Sequence, residues 1–328
     1  MTVAPIVRRR ARRGRATIVR PRRFPRAGRR FPRTPVTAAP AHRPSGGPEV
    51  VAHRGASSEA PEHTLAAYRQ AAAIGADAVE CDVRMTRDGV LVCVHDRRIN
   101  KTSTGTGVVS ALQLEELERY HFGIRRRGRR GRPERDVIRA VEDEPDEENG
   151  LVLTLDRLLS YVTGSPGAVR LAIETKHPTR HARRVEETLV ASLRRFGLIG
   201  QDGPVQWDGR PAVRVMSFST LALRRVEELA PGLPTVQLIG KRLRPVRSEL
   251  LLGPASGVGP GIGLLRHDPS YVEEAHAAGK EVHVWTVNRP GHMDFVRSLG
   301  VDAVITDHPD LLLRRLGREL PGGGSVSA

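Results

Sequence analysis

The chain has 328 residues, enough for one large domain or two ordinary ones built around a substantial core. Its formal charge of +16 suggests a polyanionic partner, but residues 1–47 hold fourteen of the 53 basic residues and no acidic one, so 39 basic residues face all 37 acidic ones in the remainder. That nearly neutral body argues against a specific nucleic-acid partner, and no run of about 18 apolar residues offers a membrane-spanning helix.

Residues 1–47 are rich in Arg, Pro and Gly and lack apolar periodicity, so they read as a disordered tail. Such a tail suits weak contact with an anionic membrane or another polyanion. It lacks the apolar core of a secretory signal, which points to the cytoplasm. Cys81 and Cys93, the only cysteines, suit a reducing compartment and read as packing residues.

From residue 48 to about 318, short β-rich runs alternate with helical patterns, the signature of an α/β sheet or barrel. The predicted strands are Val50–His53, Ala78–Val83, Val90–His95, Val169–Glu174, Val213–Phe218, Thr235–Ile239, Glu281–Val287 and Ala303–Thr306. Eight runs fit an eight-stranded barrel. Helical spacing is predicted over 64–75, 111–120, 154–162, 180–197, 219–230, 270–279 and 291–300, several of these ending on Gly. Residues 124–149, a basic block followed by an acidic one, read as a charged surface insertion, and 319–328 as a flexible C-terminal tail.

One link breaks the alternation. Between Val83 and Val90 stand only the six residues "RMTRDG", too few for the crossover that two parallel strands require. Asp88-Gly89 is instead a two-residue hairpin signal, and the barrel is thereby distorted by a hairpin-like link between its second and third strands. That turn would set Asp82 directly opposite His95, with Cβ atoms about 4.5–5.5 Å apart. Glu80 would share their face, while Cys81 and Cys93 would point to opposite faces, which disfavours a bond between them.

Charged residues gather where the apolar runs end: His53-Arg54, Glu80 with Asp82, His95-Asp96, Glu174 with Lys176, and Thr306-Asp307-His308. In a barrel those ends converge on one mouth. Glu80, Asp82 and Glu174 would supply hard oxygen ligands for Mg²⁺ or Ca²⁺, since three close carboxylates repel one another without a cation. Arg54 and Lys176 suit an anionic substrate, and His53 and His95 can move protons near neutral pH. Such a set fits displacement at phosphorus.

The stretch "AHRGASSEAPEHTLAAYRQAAAIGADAVECDVRMTRDGVLVCVHD", followed in order by "LAIETK", "VMSF", "VHVWTVN" and "GVDAVITDHPDLL", resembles the glycerophosphodiester phosphodiesterase family over about residues 49–315. The resemblance implies a TIM-type (β/α)8 barrel and metal-dependent hydrolysis of glycerophosphodiesters to sn-glycerol 3-phosphate and an alcohol. It implies acid–base catalysis by His53 and His95, metal ligation by Glu80, Asp82 and Glu174, and phosphate or substrate binding by Arg54, Lys176 and Trp285. A lysophospholipase D-like activity on membrane lysophospholipids is the alternative. His63 in "PEHT" stands where the family usually has Asn, which alters the hydrogen bonding of that loop and its support of Glu62.

Overall fold

A computed structural model describes residues 47–124, 150–164, 169–240 and 253–321. The arginine-rich head before Gly47, the charged block beyond Ile124 and the C-terminal segment beyond Pro321 lie outside the described residues. In chain order the main elements are β1 (Glu49–His53), α1 (Leu65–Ala73), β2 (Ala78–Met85), β3 (Leu91–Cys93), α2 (Leu114–Leu117), α3 (Leu155–Gly164), β4 (Arg170–Thr175), α4 (Arg184–Arg195) and β5 (Val213–Ser217). There follow α5 (Thr220–Leu229), β6 (Thr235–Ile239), β7 (Gly257–Pro260), α6 (Ile262–His267), α7 (Tyr271–Ala277), β8 (Glu281–Val284), α8 (Pro290–Ser298), β9 (Ala303–Thr306) and α9 (Pro309–Arg315).

Eight parallel strands form a closed ring in the order β1, β2, β4, β5, β6, β7, β8, β9, with β9 returning to β1. Strands covered on both faces read as nearly unbroken apolar runs, which is why the short alternating segments of the sequence were visible as elements. Val51, Ala78, Ala172, Met216, Val236, Leu238, Ala303 and Ile305 form one buried cluster drawn from β1, β2, β4, β5, β6 and β9. A larger cluster joins β2 and β4 to α1, α3 and α4, with Tyr68, Leu158, Leu171, Ile173 and Leu189 wholly buried. At the opposite end of the strands from the mouth, Glu49 meets Arg170 Nε at 2.8 Å and Arg214 Nη1 at 2.7 Å. No helix among the described residues is long and apolar enough to cross a membrane.

Two strand assignments change. The run Val90–His95 is not a member of the ring: only Leu91–Cys93 is extended, and it pairs antiparallel with the far end of β2. The eighth ring strand is β7, "GVGP", which offers no alternating pattern to read. Its glycine is a packing requirement, because a Cβ on Gly259 would stand 2.6 Å from Leu238 Cδ2.

The hairpin register is also one residue off the expected one. Val83 pairs with Cys93, Arg84 with Val92 and Met85 with Leu91, so Asp82 does not face His95. The cause lies in the turn, where Thr86 N donates to Val90 O at 2.9 Å and Gly89 N to Thr86 O at 3.2 Å, leaving a three-residue loop, Arg87-Asp88-Gly89. Gly89 takes φ +93°, the left-handed position that such a loop needs. Thr86 Oγ1 seals it by accepting Val90 N at 2.9 Å and donating to Asp88 Oδ1 at 2.6 Å. With that shift Cys81 and Cys93 share one face and one core cluster instead of pointing apart, and both are free thiols.

Local chemistry sets the helix ends. Thr64 and Ser219 cap α1 and α5 through their hydroxyls, which accept the backbone N–H of Ala67 and Ala222 at 3.2 Å. Pro290 and Pro309 occupy the first turns of α8 and α9, where a missing N–H costs nothing. The pattern over 111–120 shortens to Leu114–Leu117, closed by a capping box of Gln113 and Glu116. The pattern over 180–197 becomes helical only at Arg184.

Candidate active site

The strand pairing dictates which side chains meet. His53 lies beside Glu80 across β1 and β2, and Asp82 beside Glu174 across β2 and β4. Glu80 and Asp82, two residues apart, share a face. Carboxylate oxygens from Glu80, Asp82 and Glu174 all lie within 4.8 Å of one another, and all three residues are buried.

Two cations stand against this cluster. Arg54 Nε is 3.1 Å from Asp82 Oδ2, and Lys176 Nζ is 2.8 Å from Asp82 Oδ1 and 2.6 Å from Glu174 Oε1. Burial works to raise the Asp82 pKa, yet the bond from His63 and the charges of Lys176 and Arg54 hold it well below the usual carboxylate range. Burial and the neighbouring Asp82 charge push Glu174 up to about 7 and Glu80 well above its ordinary value. The available cations satisfy Asp82 and leave the other two carboxyls short of positive charge. Asp82 Oδ1 and Glu174 Oε1 are buried without a well-aligned hydrogen bond among the described residues, meeting Lys176 only as ion-pair contacts. An all-oxygen donor set with a charge deficit fits a hard divalent cation.

Both histidines are steered by carboxylates. His53 Nδ1 lies 2.6 Å from Asp307 Oδ1, and Asp307 is further held by Ser57 Oγ at 3.1 Å and Asn288 Nδ2 at 2.5 Å. Burial would raise the Asp307 pKa, but the bonds from His53, Asn288 and Ser57 bring it down to about 2. His95 Nδ1 lies 2.9 Å from Asp96 Oδ1, and Asp96 in turn meets Lys101 Nζ at 2.6 Å. Burial, helped by Lys176 and Arg54 against Asp82, pulls the His95 imidazole down to about 4. Arg84 fixes the backbone there by donating from Nε and Nη2 to His95 O at 2.9 and 2.7 Å. His53, Arg54, Glu62, His95, Asp96 and Asp307 line one cavity of about 580 Å³ at the C-terminal ends of the strands.

The other expected residues are placed differently. Glu80, Asp82 and Glu174 are buried and do not line that cavity, and Lys176 lines a neighbouring one. Trp285 is not in its lining either; its Nε1 donates to Gly259 O at 2.7 Å, and its ring meets Phe218 edge to face at 5.4 Å. Glu62 is supported by Arg54 Nη1 at 3.0 and 3.1 Å rather than by His63. His63 turns inward at φ +60°, with Nε2 at 3.0 Å from Asp82 Oδ2 and Nδ1 at 2.8 Å from the Tyr68 hydroxyl. Burial lowers its pKa against the pull of Asp82, and the Tyr68 hydroxyl also donates to Glu80 O at 3.3 Å.

Asp307, Asn288 and Ser57 were not singled out in the sequence for a role. The available signal was the order of the ring: a carboxylate following β9 must stand beside a histidine ending β1 once the two strands pair, as Ala52 and Thr306 do.

Comparisons with known proteins agree on one family. The sequence profile of the "Glycerophosphoryl diester phosphodiesterase family" matches residues 53–311. A Mycobacterium tuberculosis protein named "Probable glycerophosphodiester phosphodiesterase 1" is 44% identical over 270 residues, covering 81% of this chain and 91% of its own length. The Bacillus subtilis glycerophosphodiester phosphodiesterase is 32% identical over 267 residues, covering 80% and 84%. Among solved structures, an Oleispira antarctica phosphodiesterase in complex with the product sn-glycerol-3-phosphate superimposes with a TM-score of 0.68 over 83% of this chain and 97% of its own, at 23% identity. At that identity the likeness carries the fold.

Proposed function

Because the chain belongs to the glycerophosphoryl diester phosphodiesterase family and is a phosphoric diester hydrolase, we propose that it cleaves glycerophosphodiesters to sn-glycerol 3-phosphate and an alcohol at this mouth. The observation that carries the reading is a cluster of three buried carboxylates, within 4.8 Å, joined through Arg54 to a cavity lined by two carboxylate-steered imidazoles.

In this reading Glu80, Asp82 and Glu174 hold Mg²⁺ or Ca²⁺. The cation would polarise a phosphoryl oxygen and offset the charge gathered at phosphorus. Arg54, fixed by Asp82 and Glu62, offers its guanidinium to the phosphate, and Lys176 adds a compact charge from the β4 side. His53 and His95 each commit Nδ1 to a carboxylate and keep Nε2 for the reaction. One takes a proton from the attacking water, and the other returns a proton to the departing alcohol oxygen.

The test is release of sn-glycerol 3-phosphate from glycerophosphoglycerol, followed in the full chain with and without EDTA and in His53→Ala and His95→Ala. Turnover should fall at least about 100-fold in each case. Full activity with chelator, or in both variants with intact folds, would defeat the mechanism. The lysophospholipase D-like alternative draws support from Phe218 and Leu221, large apolar side chains 46% and 56% exposed beside the mouth. Choline release from lysophosphatidylcholine is its assay.

A further inference from the structure

A second cavity of about 500 Å³ is lined by Arg84, Arg97, Lys176, His177 and Arg180, with no acidic side chain in its wall. We infer that this cavity is an anion subsite that takes a phosphate carried on the departing alcohol, so that the preferred substrates are glycerophosphodiesters whose leaving group bears its own phosphate. The inference rests on the phosphodiesterase reading above and adds the class of leaving group to it.

Consecutive residues serve the two cavities, Asp96 lining the first and Arg97 the second. Lys176 contacts Asp82 and Glu174 through Nζ while its side chain lines the second cavity, so a ligand there lies one side chain away from the carboxylates. Arg84 follows Asp82 by two residues on β2, and the two hydrogen bonds it donates to His95 O fix the direction of its guanidinium before any ligand arrives. Arg97 follows His95 by two residues, and Arg180 lies in the link from β4 to α4. Both are exposed, and neither makes an ion pair among the described residues.

Charge compensation distinguishes the two places. The catalytic cavity has Glu62, Asp96 and Asp307 in its wall to balance its cations. In the second cavity Lys176 is paired with Asp82 and Glu174, and His177 with Glu186 at 2.8 Å, whereas the three arginines make no ion pair among the described residues. The three arginines around one void leave a positive field that a multiply charged anion answers best. Phosphate presents oxygens in several directions, which suits guanidinium groups arriving from different segments. The glycerol arm of a diester is uncharged and gains nothing there, so the cavity favours the other arm.

The experiment compares glycerophosphoglycerol with the same diester phosphorylated on its departing glycerol, using wild type and the double variant Arg97→Ser/Arg180→Ser. Both substituted residues are exposed and lie outside the proposed catalytic set. The variant should lose about tenfold or more in kcat/KM on the phosphorylated diester and stay within about twofold on the plain one. Equal loss on both substrates, or no loss on either, would overturn the inference. If wild type cleaves neither, the phosphodiesterase reading fails separately, and calorimetric titration with inorganic phosphate decides the subsite. Binding weakened about fivefold or more in the variant would uphold it, and unchanged binding would reject it.

Discussion

His53 Nδ1 and Asp307 Oδ1 lie 2.6 Å apart although 254 residues separate them, because the first and last strands of the ring are neighbours. In the proposed mechanism Asp307 holds the imidazole through Nδ1 and leaves Nε2 for proton transfer. Asp307→Asn should therefore reduce kcat by roughly 10²- to 10⁴-fold with little change in KM, read by steady-state kinetics on glycerophosphoglycerol. A variant with parental kcat would show that the pair does not serve the reaction.

Glu174 gives a pH signature in the metal-free protein. Its folded-state pKa, pushed up to about 7 by burial and Asp82, exceeds the ordinary carboxyl value, so the fold prefers the protonated form. Its stabilising contribution is present below pH 4.5 and is lost as pH rises through about 7, on the order of 3 kcal/mol. Asp82, held low, has already reached its full contribution in that window. With EDTA the Tm should fall between pH 5 and 8, and Mg²⁺ or Ca²⁺ should restore it most strongly at the alkaline end. Glu174→Gln should flatten the profile and weaken cation binding in calorimetry, whereas an unchanged profile would count against the carboxylate site.

Glu49 has the opposite sign. Burial alone would raise its pKa, but Arg214 and Arg170 draw it down to about 2. Its contribution is therefore present above about pH 4.5 and is lost as the pH falls toward 2. Glu49→Gln leaves two buried guanidinium groups without their carboxylate, and should cost about 3–5 kcal/mol in urea denaturation at pH 7. The penalty should shrink at pH 3, where wild type begins to lose the same charge.

His63 occupies a left-handed backbone position and orients Asp82, so shape and conformation can be tested apart. Asn tolerates φ near +60° and carries a donor, and His63→Asn should retain activity within a fewfold. His63→Ala loses the donor and should lower stability by about 1–3 kcal/mol, with weaker cation affinity. Equal behaviour of the two variants in calorimetry and thermal melts would remove His63 from the support of Asp82.

Much of the site could be read because chemistry was written at strand ends. His53-Arg54, Glu80, Asp82, His95, Glu174 and Lys176 stand out as charges closing apolar runs, and the ring brings them to one end. What escaped was set by geometry rather than composition. β7 is hidden because Gly259 answers to Leu238 across the sheet rather than to any local preference. The hairpin slipped because Asp88-Gly89 suits both a two-residue turn and a three-residue loop, and the Thr86 hydroxyl selects the latter. Asp307 was visible as a charge closing the last apolar run, but not its pairing with His53, since that partner lies at the other end of the chain. Trp285 was legible as an aromatic beyond β8, but not its choice of Phe218 and the Gly259 carbonyl over the cavity.

Ring closure also bears on how the protein is made. During synthesis His53 leaves the ribosome long before the carboxylate that orients it, and β1 waits with one edge bare until β9 arrives. A chain cut short before residue 303 would thus retain both imidazoles and all three clustered carboxylates, yet lack the strand that completes the wall. Competence is conferred by the last tenth of the polypeptide, so truncated products should be inert rather than partly active.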